Sequence, residues 1–214
     1  MIRRLLFILI PVTVGALALV SAIALTPRPP ATPAPTRTPV LSGYAGDVLP
    51  QPVHIRDFPL ASTLPDVTRW SDLEGRWRLV FFGYLHCPDY CPLTLAEYRR
   101  IKRELGESAD DVAFVYITVD PARDTPDVMR RYLANFDSTF IGLAADDATL
   151  AEIQPDFGFY YQRRLQGGLY AIDHSTRTYL ITPSGDLVTT FTYDIAPARI
   201  AEAILHWMEA SEAV

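Results

Sequence analysis

The chain's only two cysteines, Cys87 and Cys91, stand in HCPDYCP, residues 86–92, with three residues between them. Two thiols at that spacing serve one of three chemistries: a structural disulfide, a thiol–disulfide redox pair, or two ligands of a soft metal ion. The staple is the weakest of these. Closing a five-residue loop stabilises by about 2 kcal/mol in the chain-entropy model, against roughly 4.7 kcal/mol for a hundred-residue loop. With 49% apolar residues in 214, the chain has material for a core and does not need a cross-link to fold. The other two chemistries both require thiolate, and the local sequence favours it. Pro88 holds Cys87 out of the helical region. Pro92, read as the first helical residue, makes Cys91 the expected N-cap, where free N–H groups and the helix dipole favour the anion.

Thioredoxin-type redox pairs carry two intervening residues, and this one carries three. Two thiolates alone under-coordinate a soft ion, so a metal site needs a third donor. Thiolates with imidazole select Cu(I), or zinc where a fourth ligand exists. Four histidines are available. His86 adjoins Cys87 and, in an extended run, would point to the opposite face. His54 lies early in the folded part and His206 beside Trp207 in the last helical stretch; these three read as surface or packing residues. His174, in IDHSTRTYLI, is a loop histidine between Asp173 and Ser175, suited to ligation and equally to capping.

These residues depend on the elements around them. WRLVFFGYL (77–85) is a continuous apolar run, as in a strand buried on both faces. A helix follows from Pro92, with Leu95, Tyr98, Ile101 and Leu105 at helical spacing and Gly106 as its stop. DVAFVYITVD (111–120) is a second buried strand. Thr125-Pro126 gives an N-cap and a first-turn proline for a helix reaching Asn135. Residues 140–144 read as a short strand and 146–157 as a helix with an acidic start. Residues 179–182 and 187–193 form a hairpin about Pro183-Ser184-Gly185-Asp186, and 196–209 a final helix. Residues 54–76 read as a small β-turn-β unit ending at Gly75. The order predicts an α/β fold, a central sheet flanked by helices with right-handed crossovers. Cys87 then falls beyond the carboxyl end of a strand, where such sheets do chemistry.

Ahead of this domain, expected over residues 41–214, stand two other segments. After MIRR, the uncharged stretch Leu5–Thr26 would cover roughly 33 Å as a helix. Residues 1–26 are therefore predicted to be a single transmembrane anchor, with a signal segment cleaved near residues 20–24 as the alternative. The short basic tail would stay in the cytoplasm and send the rest to the extracytoplasmic side of the cell membrane, although Arg28 and Arg37 nearly balance Arg3 and Arg4. TPRPPATPAPTRTP gives residues 27–40 the composition of a polyproline linker, roughly 43 Å long over its fourteen residues. The formal charge is −6, and because this head has four arginines and no acid, residues 41–214 carry −10, which argues against nucleic acid as a partner.

The segments FFGYLHCPDYCP (81–92), TVDPARDTPD (118–127) and YAIDHSTRTYLITPSGDLV (170–188) together resemble the Sco/SenC family, over roughly residues 50–209. These are membrane-anchored copper proteins of thioredoxin-like fold that help assemble the copper site of cytochrome c oxidase. The resemblance implies that Cys87, Cys91 and His174 bind copper as Cu(I). The family also binds Cu(II), for which Asp89 is near enough to add a donor. It implies a metallochaperone rather than an enzyme, with cytochrome c oxidase subunit II as acceptor and a thiol reductant protein to keep the pair reduced. Asp120, Arg123 and Asp124 belong to the family's segment after the second strand, with a structural role in strand termination and helix capping or a role in docking the partner. Tyr90 is bulkier than the small aliphatic residue expected there. Thioredoxin-like oxidoreductases place a cis-proline opposite the cysteines. This chain has no proline between Pro155 and Pro183, and His174 lies in that neighbourhood. The rival function is a thiol–disulfide oxidoreductase, which would use both cysteines without His174. A peroxidase is a third, with only Arg123 placed to activate peroxide.

Overall fold

Seven consecutive buried residues, Trp77–Gly83 (β3), run through the middle of the main sheet. The structure, a computed structural model, describes residues 45–166 and 169–212, all within one unit, Pro39–Val214. The expected anchor and linker lie outside the described residues. Among the described residues no helix is long and apolar enough to cross a membrane.

β3 pairs in parallel with β4 (Val112–Thr118), which is also buried throughout, and β4 in parallel with β5 (Ile141–Ala144). On its other side β3 pairs antiparallel with β8 (Thr178–Ile181), and β8 with β9 (Asp186–Phe191). β1 (Asp47–His54) and β2 (Ala61–Ser62) form the two edges, giving the order β1-β9-β8-β3-β4-β5-β2. The sheet is therefore mixed, as the sequence predicts for buried central strands beside a hairpin.

Alternate residues of β3 serve opposite cores. Leu79 and Phe81 meet Leu95, Tyr98 and Ile101 of α1 (Tyr90–Leu105), Met129 and Leu133 of α2 (Pro126–Leu133), and Ile200 and Ile204 of α4 (Pro197–Glu212). Val80 and Phe82 meet Leu150, Ile153 and Phe157 of α3 (Asp147–Phe157). Each large side chain so buried contributes about 1.5–3 kcal/mol. The helix starts follow the sequence signals: Thr125 Oγ1 accepts from the Val128 amide and Asp146 Oδ1 from that of Thr149. Gly106 ends α1 at φ +59°, a backbone conformation unfavourable to other residues. Arg78 is the polar exception within β3. Its Nη2 donates to the Thr182 and Pro183 carbonyls at 2.7 and 3.3 Å, and its guanidinium lies 4.7 Å from the Trp70 ring centre.

Two expectations are corrected. The β-turn-β unit at 54–76 is reduced to one antiparallel bridge, Pro59 with Arg69, closed by Leu60 N on the Thr68 carbonyl and Trp70 N on the Phe58 carbonyl, while β1 and β2 join opposite edges of the sheet. Residues 161–174, for which no element was expected, form β6 (Tyr161–Gln166) and β7 (Leu169–His174), an antiparallel hairpin that constitutes a second, separate sheet.

Candidate metal centre

The cysteine loop begins where β3 stops, at Gly83 rather than at the expected Leu85. The chain turns there because the Leu85 amide donates to Asp124 Oδ2 at 2.9 Å instead of to a strand, and the Cys87 amide donates to the Tyr84 carbonyl at 3.1 Å. Val119 N donates to the Gly83 carbonyl at 2.8 Å, tying the end of β3 to the loop after β4. The helix opens at Tyr90 with Asp89 as its N-cap, so Cys91 lies inside the first turn and is not the cap. Pro92 fits within that turn, where a backbone donor is unsatisfied in any case.

Both cysteines are free, Cys91 fully buried and Cys87 half-buried. The anion belongs to Cys87, which corrects the expectation for Cys91. The Cys91 thiol donates to the Cys87 sulfur, and burial opposes the charge; donation from the Asp89 and Cys91 amides adds to a net lowering to about 3. Cys91 is pushed the other way by the same hydrogen bond and by its burial. Two adjacent sulfurs thus share one proton, and the helix's free amides point to the first of them.

His174 ends β7, where sequence reading placed a loop. Its Nε2 lies 3.4 Å from Cys91 Sγ. Its Nδ1 stands 2.9 Å from the Ser175 carbonyl, which only accepts, so the proton sits on Nδ1 and the Nε2 lone pair faces the sulfurs. Phe81 and Tyr84 hold the imidazole edge-to-face, both with ring centres 5.8 Å away. The donor atoms of Cys87, Cys91 and His174 all lie within 4.8 Å of one another. Two sulfurs and one unprotonated nitrogen fit a soft, low-coordinate ion such as Cu(I). A structural zinc site takes a fourth ligand, and this cluster has three members among the described residues.

The other candidates are elsewhere. Asp89 is exposed at the helix cap and outside the cluster. His54 Nδ1 pairs with Asp186 Oδ1 at 2.9 Å, and His206 lies in α4. His86 is 57% exposed, with Nδ1 3.8 Å from Asp124 Oδ1. It groups with Asp120 and Asp124 and not with the sulfurs. Tyr90 stacks edge-on against Tyr193 at the surface, clear of the ligands.

Asp120, Arg123 and Asp124 act as the framework. Asp124, wholly buried, accepts from Leu85 N and, at 2.7 Å, from Thr118 Oγ1, and burial raises its pKa. Asp120 forms an ion pair with Arg123 Nε and accepts from the Tyr170 hydroxyl at 2.6 Å, while the Arg123 guanidinium lies 3.9 Å from the Tyr170 ring centre. The loop after β4 therefore holds the cysteine turn through Asp124 and the histidine hairpin through Asp120. Sequence reading missed Tyr170 and Tyr84. Gly167-Gly168, flanked by two strand-length runs, is the hairpin signal that would have located Tyr170.

A mixed sheet covered by helices, with two sulfurs and an imidazole converging beyond the end of its central strand, defines a thioredoxin-like domain with a soft-metal cluster. Known proteins agree. The SCO1/SenC family model matches residues 47–209, and the chain belongs to that family. An SCO2-like protein of Rickettsia felis is 35% identical over 150 residues, covering 68% of this chain and 73% of its own. Bradyrhizobium japonicum ScoI, solved with copper bound, is 32% identical with a TM-score of 0.63, covering 76% of this chain and 99% of that one. Apo Sco1 of Thermus thermophilus is 30% identical with a TM-score of 0.65, over 80% and 98% of the two chains.

Proposed function

We propose that this protein is a copper metallochaperone that carries Cu(I) on Cys87, Cys91 and His174 and delivers it to cytochrome c oxidase subunit II during assembly of the respiratory complex. One observation carries the reading: the His174 Nε2 lone pair is directed at the cysteine pair by the Nδ1 bond to Ser175. Copper-bound ScoI, 32% identical to this chain, supports it, as does the resemblance to a family of oxidase assembly proteins. Loading displaces the shared proton of the thiols. Cys91 is buried and Cys87 half-exposed, so of the two sulfurs an acceptor's ligands displace Cys87 before Cys91. The residues 1–26 anchor would hold this domain on the extracytoplasmic side of the membrane, where a thiol reductant protein keeps the pair reduced.

A second reading also has an observation behind it. The Cys87 anion beside a protonated Cys91 is the arrangement a thiol–disulfide oxidoreductase uses. Purified protein separates the two. His174→Ala is expected to abolish stoichiometric Cu(I) binding and to leave disulfide exchange at its wild-type rate. Copper binding untouched by that substitution would remove His174 from the site and leave the oxidoreductase reading in possession.

A further inference from the structure

Where β3 and β4 stop side by side, the loops that follow them bring a second set of donor atoms together. His86, in the cysteine turn, keeps 57% of its side chain in solvent, while Asp120 and Asp124, in the loop after β4, are wholly buried. One donor atom from each of the three lies within 4.8 Å of the other two, and the cluster shares no member with the sulfur site. Asp124 is the member its neighbours leave incomplete. Its Oδ2 accepts from the Leu85 amide and the Thr118 hydroxyl, whereas its buried Oδ1 has no hydrogen-bond partner, a condition native proteins ordinarily avoid. That oxygen faces His86 Nδ1 at 3.8 Å, too far for a hydrogen bond. The separation suits two donors of one ion, which bond it at about 2.0–2.2 Å and so stand about 3–4 Å apart.

Asp120 is the third donor and the most encumbered. Its oxygens bond the Tyr170 hydroxyl and Arg123, yet a carboxylate oxygen accepts more than one partner. Arg123 offsets one of the two carboxylate charges and leaves the other for a cation. We propose that His86, Asp120 and Asp124 form a second metal site, which takes a first-row divalent cation such as Mn(II), with water on its exposed side. One imidazole with two carboxylates suits such an ion, whereas Cu(I) prefers sulfur. The proposal is independent of the copper reading, since none of its ligands is a copper ligand. With only one net charge and an arginine beside it, the site is a weak one. An ion held there ties the residue before Cys87 to the loop after β4, and so fixes the cysteine turn from its outer side.

Mn(II) is the probe, because thiolates are poor ligands for it. Its binding to the reduced protein is followed by loss of the free-ion electron paramagnetic resonance signal, and thermal melting is recorded with and without the ion. The expected result is one Mn(II) per chain. Even the outer partners of a metal ligand are worth about 10- to 100-fold in affinity, so His86→Ala weakens binding at least about tenfold. His86 is mostly exposed, and its replacement leaves the metal-free melting temperature unchanged. Mn(II) raises the melting temperature of wild type and of His174→Ala, which keeps the whole proposed site, and does not raise that of His86→Ala. Wild-type protein that binds no Mn(II) up to about 1 mM, the weak end of protein cation sites, overturns the proposal. Binding that survives His86→Ala also overturns it, as the pattern of adventitious surface carboxylates. Binding lost in His174→Ala assigns the ion to the sulfur cluster and overturns it equally.

Discussion

Tyr170→Phe removes a single oxygen that ties the β6–β7 hairpin to the rest of the protein. A two-stranded hairpin is marginal alone, and this one pairs with no strand of the main sheet. It is held by buried Ile172, by the paired bonds between Tyr160 and Ser175 at its base, and by the Tyr170 hydroxyl on Asp120 at 2.6 Å. A hydrogen bond to a carboxylate contributes about 1.5–3 kcal/mol. Tyr170 is only half-buried, which places this one at about 1.5 kcal/mol, or roughly tenfold in an equilibrium. Phenylalanine keeps the ring beneath Arg123, so the cation–π contact survives and the hydroxyl alone is tested. The expected outcome is local: amide exchange at Ala171–Asp173 accelerates about tenfold, while β3 and β4 keep their protection. Because His174 ends the same strand, Cu(I) affinity falls by a comparable factor, and disulfide exchange by the cysteine pair does not change. Hydrogen–deuterium exchange and chelator competition read the two effects. Unchanged protection in β7, or a loss spread evenly over the main sheet, would refute the idea that this bond holds the histidine strand.

Two further substitutions test the framework. In Gly83→Ala the new Cβ would stand 2.8 Å from Cys91 Sγ, Phe81 Cε1 and the Tyr116 hydroxyl at once; the expected loss is about 1–3 kcal/mol in urea unfolding, and wild-type stability would show that the site yields. Asp156 is held below the usual carboxylate range by Arg56, whose Nε and Nη2 donate to it at 2.6 and 2.9 Å. The stability this confers is full above the unfolded pKa of about 3.9 and disappears as pH falls through the lower folded value. The urea midpoint of Asp156→Asn should therefore trail wild type at neutral pH and converge on it in acid, and a gap independent of pH would disprove the assignment.

The elements legible in the sequence were those whose side chains make the decision locally. β3 and β4 read as continuous apolar runs because both faces are covered, and Thr125 and Asp146 read as caps because each accepts the amide three residues on. The regions that misled owe their structure to distant partners. β1 and β2 are fixed by β9 and β5, far away in sequence. The β6–β7 hairpin is mostly exposed along Gln162–Leu165, so no buried stripe announces it. The helix start was displaced for a related reason. A proline suits any first-turn position, and the Cys91 N-cap rested on placing Pro92 at the first of them. The proposed ligand set was reached by resemblance: no spacing rule joins Cys91 to a histidine 83 residues away.

The site is thereby divided between two supports of unequal strength. The sulfurs follow the best-buried strand of the protein and the helix packed on it, whereas the nitrogen stands on a hairpin outside the main sheet. The loop after β4 bonds to both, through Asp124 to the cysteine turn and Asp120 to Tyr170, while Phe81 and Tyr84 pack directly on the imidazole. A cluster built this way is expected to open from the histidine side, because the hairpin shares no strand pairing with the main sheet. For a carrier this asymmetry is useful. In the proposed transfer, withdrawal of one neutral ligand would leave copper on two thiolates and expose a coordination position, so that an acceptor could bind before the cysteines release. The rival redox pair would make no use of His174, so the disulfide-exchange rate of His174→Ala separates it from the proposed carrier.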